Sequence, residues 1–341
     1  LSVACAVASP KMAIDLDDYG WPGGAVPEGG ILGRILRVDR GECDVATAAG
    51  PVRALSDSQR AQSEFAPATG DWVLLDDDPE IGALISQVLP RANTLSRRDP
   101  SEAGLEQVLV ANVDAVLIVH GLDRPFPAGR LERLLVIAWD SGADVAVVLT
   151  KADTRAGKAA GEVAATIRAV APETPVLVVG GDEGLDAVVA RTGPGRTVAL
   201  LGESGAGKST LVNGLLGEDR LAIGEVRGGD AKGRHTTVSR ELVHLPGGGL
   251  VIDTPGIRAV GLLDTEEALD RVFGDLQDLS AECRYADCAH DTEPDCAVTG
   301  AVGDGSVDAR RVVRYRALRS ELAEQRARDE ERGRRSRRGR R

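Results

Sequence analysis

Apolar residues recur along this chain in two rhythms. From 31 to 88 they alternate with polar residues over short stretches, 31–38, 42–48, 51–55, 71–75 and 82–88, separated by turn-forming residues. Period-two alternation predicts half-buried strands, and five of them within about 60 residues predict a small closed barrel, with an OB-type barrel the leading candidate. The polar stretch 90–104, with Arg91, Arg97, Arg98 and Pro100, reads as a linker. Beyond it come solid apolar runs at 113–119, 145–150, 176–180, 197–202, 241–245 and 250–254. Helical stretches near 129–140, 158–171, 184–191 and 208–216 fall between them. Such alternation predicts an α/β fold: a mainly parallel sheet with helices on both faces and ligands at the carboxyl ends of its strands. After 263 the period becomes helical throughout. Asp264 and Glu267 are spaced as a capping box, and Leu269, Val272, Phe273 and Leu276 form one apolar stripe. Val312, Tyr315, Leu318 and Leu322 mark a second amphipathic helix. The predicted division is a flexible segment (1–29), the barrel (30–95), the α/β domain (105–263), a helical domain (264–325) and a basic disordered tail (326–341).

Composition sharpens this picture in three ways. With 341 residues, 43% hydrophobic and 28% charged, the chain is globular and long enough for two or three cores. Its apolar runs fall far short of the roughly 18 residues a membrane span needs, so no membrane partner is expected. Residues 1–10 are apolar but follow no basic segment, which argues against a secretory signal. Because the single methionine is Met12, Leu1 is not expected to be the translation start. Charge is uneven. Residues 310–341 hold fourteen arginines against five acids, a local +9 within a total of −12, which leaves −21 on the rest. An acidic body argues against non-specific polyanion binding through the whole surface, whereas the basic tail is either the kind of charge block that contacts nucleic acid or a solvated, frayed terminus. Cysteine usage fits a reducing cytoplasm, and the protein is expected to act as a monomer.

The strongest chemical signal is Gly202 to Ser209, GESGAGKS, between the apolar strand TVALL and the helix STLVNGLL. It matches the phosphate-binding loop G-x-x-x-x-G-K-[ST] in its required setting. Gly202, Gly205 and Gly207 allow backbone N–H groups to surround phosphates. Lys208 is expected to reach the β and γ phosphates as a catalytic cation, and Ser209 to ligate Mg²⁺. The base is read elsewhere. Thr150, Lys151, Ala152 and Asp153 follow the strand VAVVL and resemble the guanine motif Asn-Lys-x-Asp of GTPases. A carboxylate at Asp153 accepts the paired N–H groups of one guanine edge, which adenine lacks. Asp253, followed by Thr254, Pro255 and Gly256, can hold Mg²⁺ through water while Gly256 N–H meets the γ-phosphate. In the intervening GRHTT segment, Thr236 is the first candidate to complete the Mg²⁺ shell, with Thr237 behind it. The nucleotide is thus expected on Thr150 to Asp153, on Gly202, Glu203, Ser204, Gly205, Ala206, Gly207, Lys208, Ser209 and Thr210, and on Thr236, Asp253 and Gly256. The base motif precedes the phosphate loop, reversing the usual GTPase order. The domain reads as circularly permuted, a change that compact domains tolerate because their termini often lie close together.

Cys283, Cys288, His290 and Cys296 are spaced C-x4-C-x-H-x5-C. Three thiolates and an imidazole suit one tetrahedral, structural Zn²⁺ with no open position for catalysis. Together the barrel, VANVD at 110–114, TKAD, GESGAGKS, GRHTT, DTPGI and CRYADCAHDTEPDC resemble the ribosome small-subunit-dependent GTPase A family over roughly residues 30–320. The resemblance implies an OB domain, a permuted GTPase domain and a zinc domain. It also implies GTP hydrolysis in late maturation of the small ribosomal subunit, stimulated by that subunit and involving its rRNA. Ile257 stands where many GTPases place a water-orienting glutamine, so another group must help, and His235 is the nearest in sequence. His120 and His244 read as structural. The fifth GTPase element is replaced near Val179 to Gly181, where backbone N–H groups would have to contact the guanine oxygen. Two rivals remain: an ATP-driven P-loop enzyme, opposed by Asp153, and a zinc-containing RNA-binding module without turnover. Aromatics are only 3% of the chain, so RNA recognition through phosphate and shape is favoured over base stacking.

Overall fold

The computed structural model describes residues 13–24, 26, 29–56, 66–98, 106–154, 160–181, 183–218, 240–254 and 266–339. The barrel is formed by β1 (Ile31–Val38), β2 (Glu42–Thr47), β3 (Gly50–Leu55), β4 (Trp72–Asp78) and β5 (Gly82–Val88). Strands pair in the order β1-β2-β3-β5-β4, and β4 returns to β1, closing the sheet without a free edge. Alternation sends Ile35, Val45, Val73, Leu75 and Ile85 into its core. Gly33 is required where β1 crosses β2, because a Cβ there would sit 2.5 Å from Val45 Cγ1.

The outer face of β1 and β4 is also apolar, and this corrects the expectation of a flexible N-terminal segment for its described part. Leu32, Trp72, Leu74 and Leu89 are buried beneath Leu16, Tyr19 and Trp21. Ile14 N–H donates to Ala48 O at 3.1 Å, so residues 13–24 are laid across the barrel, removing apolar surface from water. The linker is corrected as well. Within 90–104, β6 (Thr94–Arg98) pairs antiparallel with β7 (Glu106–Ala111), and Leu95, Leu109 and Val110 are buried. Its polar composition hid a strand whose single apolar anchor is Leu95.

The α/β part contains β8 (Ala115–Gly121), α1 (Ala128–Asp140), β9 (Asp144–Thr150), α2 (Ala160–Val170), β10 (Val176–Val178) and α3 (Leu185–Val189). It continues with β11 (Thr197–Gly202), α4 (Lys208–Leu216), β12 (Glu241–His244) and β13 (Leu250–Asp253). The strand order is β10-β9-β8-β11-β13-β12, parallel except for β12. The chain runs outward from β8 to β10, returns to place β11 beside β8, then crosses to the far side at β12 and comes back to fill the gap with β13. The β8/β11 boundary is therefore the topological switch point, and its carboxyl end is where an open α/β sheet binds ligands. One face packs on α1 and α2, the other on α3 and α4. A single register pair, Arg37↔Glu241, joins β12 to the barrel.

At the C-terminus the apolar stripe Leu269, Val272, Phe273 and Leu276 is buried as expected, but not on one helix. α5 (Glu266–Val272) ends and α6 (Gly274–Ser280) begins across Phe273, at φ −116° and ψ 33°. Asp264 of the expected capping box lies outside the described residues. α7 (Ala297–Gly303) follows the cysteines, and α8 (Ala309–Gly339) corrects the expected disordered tail. The tail is rich in Arg, Glu and Ala, all strong helix formers. Glu324–Arg328 and Glu330–Arg334, each at 3.3 Å and spaced i,i+4, offset part of the repulsion among its arginines. Among the described residues no helix is long and apolar enough to cross a membrane.

Candidate nucleotide site and metal centre

The loop after β11 opens α4, and its glycines take conformations that other residues avoid: Gly205 lies at φ +76° and Gly207 at φ +94°. Lys208, buried, folds back over the loop and donates to Gly202 O at 3.0 Å and Glu203 O at 2.9 Å. Burial, and secondly repulsion from Arg124, depress its pKa, while Asp253 opposes them. At the base of the loop Ser209 Oγ donates to Asp253 Oδ2 at 3.0 Å. Asp253 Oδ1 is buried without a partner among the described residues, and burial raises the pKa of this carboxyl against the pull of Lys208. An orphaned carboxylate oxygen beside a serine hydroxyl and a buried ammonium is a donor set that fits Mg²⁺ with a phosphate. Ser209 and Asp253 are thus brought together. His235, Thr236 and Gly256 lie outside the described residues.

The 150–153 segment is seated directly against this loop although it is far away in sequence. Thr150 Oγ1 donates to Ala206 O at 2.5 Å. A Cβ on Gly207 would approach that hydroxyl to 3.0 Å, so the glycine permits the contact. Lys151, in the left-handed region at φ +61°, extends Nζ to Asp123 Oδ2 at 2.7 Å and Gly205 O at 2.9 Å. Ala152 N–H bonds to Val179 O at 3.1 Å. Asp153 is exposed, and Gly180 packs so closely beneath it that a Cβ would lie 2.6 Å from Asp153 N. Of the N–H groups expected at 179–181, that of Val179 is taken by Leu149 O and that of Gly180 by Glu183 O. Gly181 carries the remaining one. His120 is buried edge-on to Phe126 at 5.2 Å, and His244 packs on Tyr19 at 5.4 Å.

Three side chains at the loop belong to no motif. Arg124, just past β8, donates to Ser204 O at 3.1 Å and Gly205 O at 3.0 Å. Asp123 holds Lys151, and Arg130 at the start of α1 pairs with Glu203. Their one sequence signal is their place at the carboxyl end of a central strand, where the fold puts its ligands.

The metal centre is a separate knuckle. The ligand atoms of Cys283, Cys288, His290 and Cys296 all lie within 4.8 Å of one another. His290 Nδ1 is 3.6 Å from both Cys283 Sγ and Cys296 Sγ, and left-handed turns at His290 (φ +58°) and Asp295 (φ +57°) fold the loop onto itself. Ser280 Oγ donates its one proton to Leu276 O at 2.6 Å, so at 3.0 Å from His290 Nε2 it must accept. That bond places the imidazole proton on Nε2 and aims the Nδ1 lone pair at the sulfurs. The donor set fits a four-coordinate metal ion.

Fold and site together define a circularly permuted P-loop GTPase carrying an OB-type barrel and a C-terminal Cys₃His centre. Residues 88–263 match the family described as RsgA GTPase. A Streptomyces avermitilis protein named Small ribosomal subunit biogenesis GTPase RsgA is 44% identical over 310 residues, covering 88% of this chain and 83% of its own. The chain belongs to the RsgA GTPase family, a family of GTP-hydrolysing enzymes. The same fold occurs in YjeQ from Thermotoga maritima, with TM-score 0.61 and 24% identity over 86% of this chain and 98% of that one. It recurs in YloQ, described as a circularly permuted GTPase, with TM-score 0.57 and 22% identity over 87% of this chain and 96% of that one.

Proposed function

We propose that this protein is a GTP-hydrolysing checkpoint of late small-subunit maturation in the cytoplasm: the GTP form docks on the nearly complete subunit, and stimulated hydrolysis releases it. The observation that carries the nucleotide reading is the meeting of Thr150 and Lys151 with Ala206 and Gly205, which puts a base-reading and a phosphate-holding segment on one surface. Asp153 would accept guanine's N–H pair, Lys208 would neutralise the β and γ phosphates, and Ser209 and Asp253 would hold Mg²⁺, which supplies charge neutralisation when bound. Thr236 and Gly256 are assigned to the Mg²⁺ and γ-phosphate, and His235 to the attacking water. The four ligands at 283–296 would hold one structural Zn²⁺. Docking on the small subunit and its rRNA is supported by the relatives' name and by the basic α8.

Phosphate release is measured with GTP or ATP, with and without purified small subunits. Turnover selective for GTP and raised at least tenfold by subunits is expected; equal rates with and without subunits would reject the checkpoint. Equal use of ATP would reject the base assignment.

A further inference from the structure

We propose that Arg124 is a positioning residue of the nucleotide site, whose guanidinium pins two consecutive peptides of the phosphate loop so that their N–H edges face the cradle before nucleotide arrives. The proposal rests on the assignment of residues 202–209 to phosphate binding. In a planar trans peptide, C=O and N–H point in opposite directions. A carbonyl held from outside therefore aims the next residue's N–H inward. Arg124 Nη1 holds Ser204 O at 3.1 Å, and Nη2 holds Gly205 O at 3.0 Å. These bonds fix the planes carrying the N–H groups of Gly205 and Ala206. Thr150 does the same for the next plane through Ala206 O at 2.5 Å, and Lys151 adds a second donor to Gly205 O at 2.9 Å. Three successive planes are thus held from the ends of β8 and β9.

Ala206 N–H closes a turn on Glu203 O at 3.2 Å, an oxygen that Lys208 also holds at 2.9 Å. The loop is a nearly formed nest, and in a segment with glycines at 202, 205 and 207 that order must come from outside, because glycine is the residue most costly to fix. The fit is built on both sides. A Cβ at Gly205 would stand 3.0 Å from Arg124 Nη2, and Arg124 is itself steadied by Asp123 and Glu203, each at 3.5 Å. Preordering the donors lowers what binding must spend on ordering them, so the effect belongs mainly to affinity.

The test uses full-length wild type, Arg124→Ala, Arg124→Lys and, as reference, Lys208→Ala. Binding of GDP and GMP, amide exchange over 204–207 without nucleotide, and GTP turnover are measured. Arg124→Ala should weaken GDP by roughly tenfold or more, weaken GMP less, and raise KM by a larger factor than kcat falls. Amide exchange at 205–206 should speed up in the empty protein. Lysine has one attachment point where arginine's fork has two, so Arg124→Lys should recover only part of the loss. It also carries the test if Arg124→Ala fails to fold. Unchanged GDP affinity and exchange in both variants, with Lys208→Ala defective, would overturn the proposal alone. So would a fall in kcat at intact affinity, which would make Arg124 a transition-state contact. If Lys208→Ala binds GDP like wild type, it is the phosphate-loop assignment that fails.

Discussion

Asp253 is a buried carboxylate at the foot of the phosphate loop. Its Oδ1 has no partner among the described residues, and burial lifts the carboxyl's pKa above the ordinary value. The folded state therefore holds a proton over a pH range where the unfolded chain has lost it, and stability falls as pH rises through that range. Lys208 and the Ser209 hydroxyl offset part of the cost of burying the charge. Asp253→Asn keeps an acceptor for Ser209 without the charge, so the nucleotide-free variant should be more stable by about 1 kcal/mol at pH 7. The gain should fade as pH is lowered into the raised range where the native carboxyl regains its proton. Mg²⁺-dependent GTP affinity should fall at least tenfold, by roughly the loss of a charged ligand. Thermal unfolding across pH together with nucleotide titration checks both arms, and a variant less stable than wild type at pH 7 would contradict the reading. At this scale the sequence was informative only where spacing is rigid. Lys208, Ser209 and Asp253 sit in loops whose strand–turn–helix setting constrains every position, whereas Arg124, Asp123 and Arg130 reach the same loop from a neighbouring strand, and nothing in linear spacing records that neighbourhood.

The elements show the same limit from another side. Strands with strict alternation or solid apolar runs, β1 to β5 and β8 to β13, are legible because burial on one or both faces writes itself into the pattern. β6 was missed because one buried leucine in five residues leaves no period. The break between α5 and α6 was invisible because Phe273 is buried in the same stripe on either side of it. The tail of α8 misled because charge density signals disorder while propensity signals helix, and here propensity prevails. Near the cysteines the helices pack on the Cys₃His cluster: Cys288 and Cys296 share the core with Phe273, Leu276 and Tyr315. Cys288→Ser should bind less than half the metal of wild type by elemental analysis and lose a separate, chelator-sensitive step in calorimetric unfolding. Its GDP affinity should stay within about threefold of wild type, since the nucleotide loop is built from other elements. Full metal content in the variant would exclude Cys288 as a ligand.

Across the whole molecule, one buried carboxylate joins the nucleotide-binding sheet to the C-terminal helices. Glu132 on α1 is fully buried, accepts from Arg311 at 2.8 Å, and pairs with Arg314, while Arg311 also holds Asp275 of α6 at 2.7 Å. Two residues earlier on the same helix, Arg130 grips Glu203 of the phosphate loop. Glu132→Ala would take the carboxylate from Arg314 and leave the buried Arg311 with Asp275 alone as counter-charge, so a loss of about 3 kcal/mol is expected. It should be read as a lower melting temperature with earlier proteolysis after residue 266, and wild-type stability in that variant would show that the cluster does not join the two parts. The reversal of strand order at β8 and β11 has a further consequence during synthesis. Within the α/β part the half that carries residues 150–153, β8 to β10, is synthesised first, with the inner edge of β8 waiting for a strand not yet made. The phosphate loop follows on β11, and Asp253 only after two more strands. A nascent chain therefore completes the strands that carry residues 150–153 before the loop at 202–209, and that loop before Asp253.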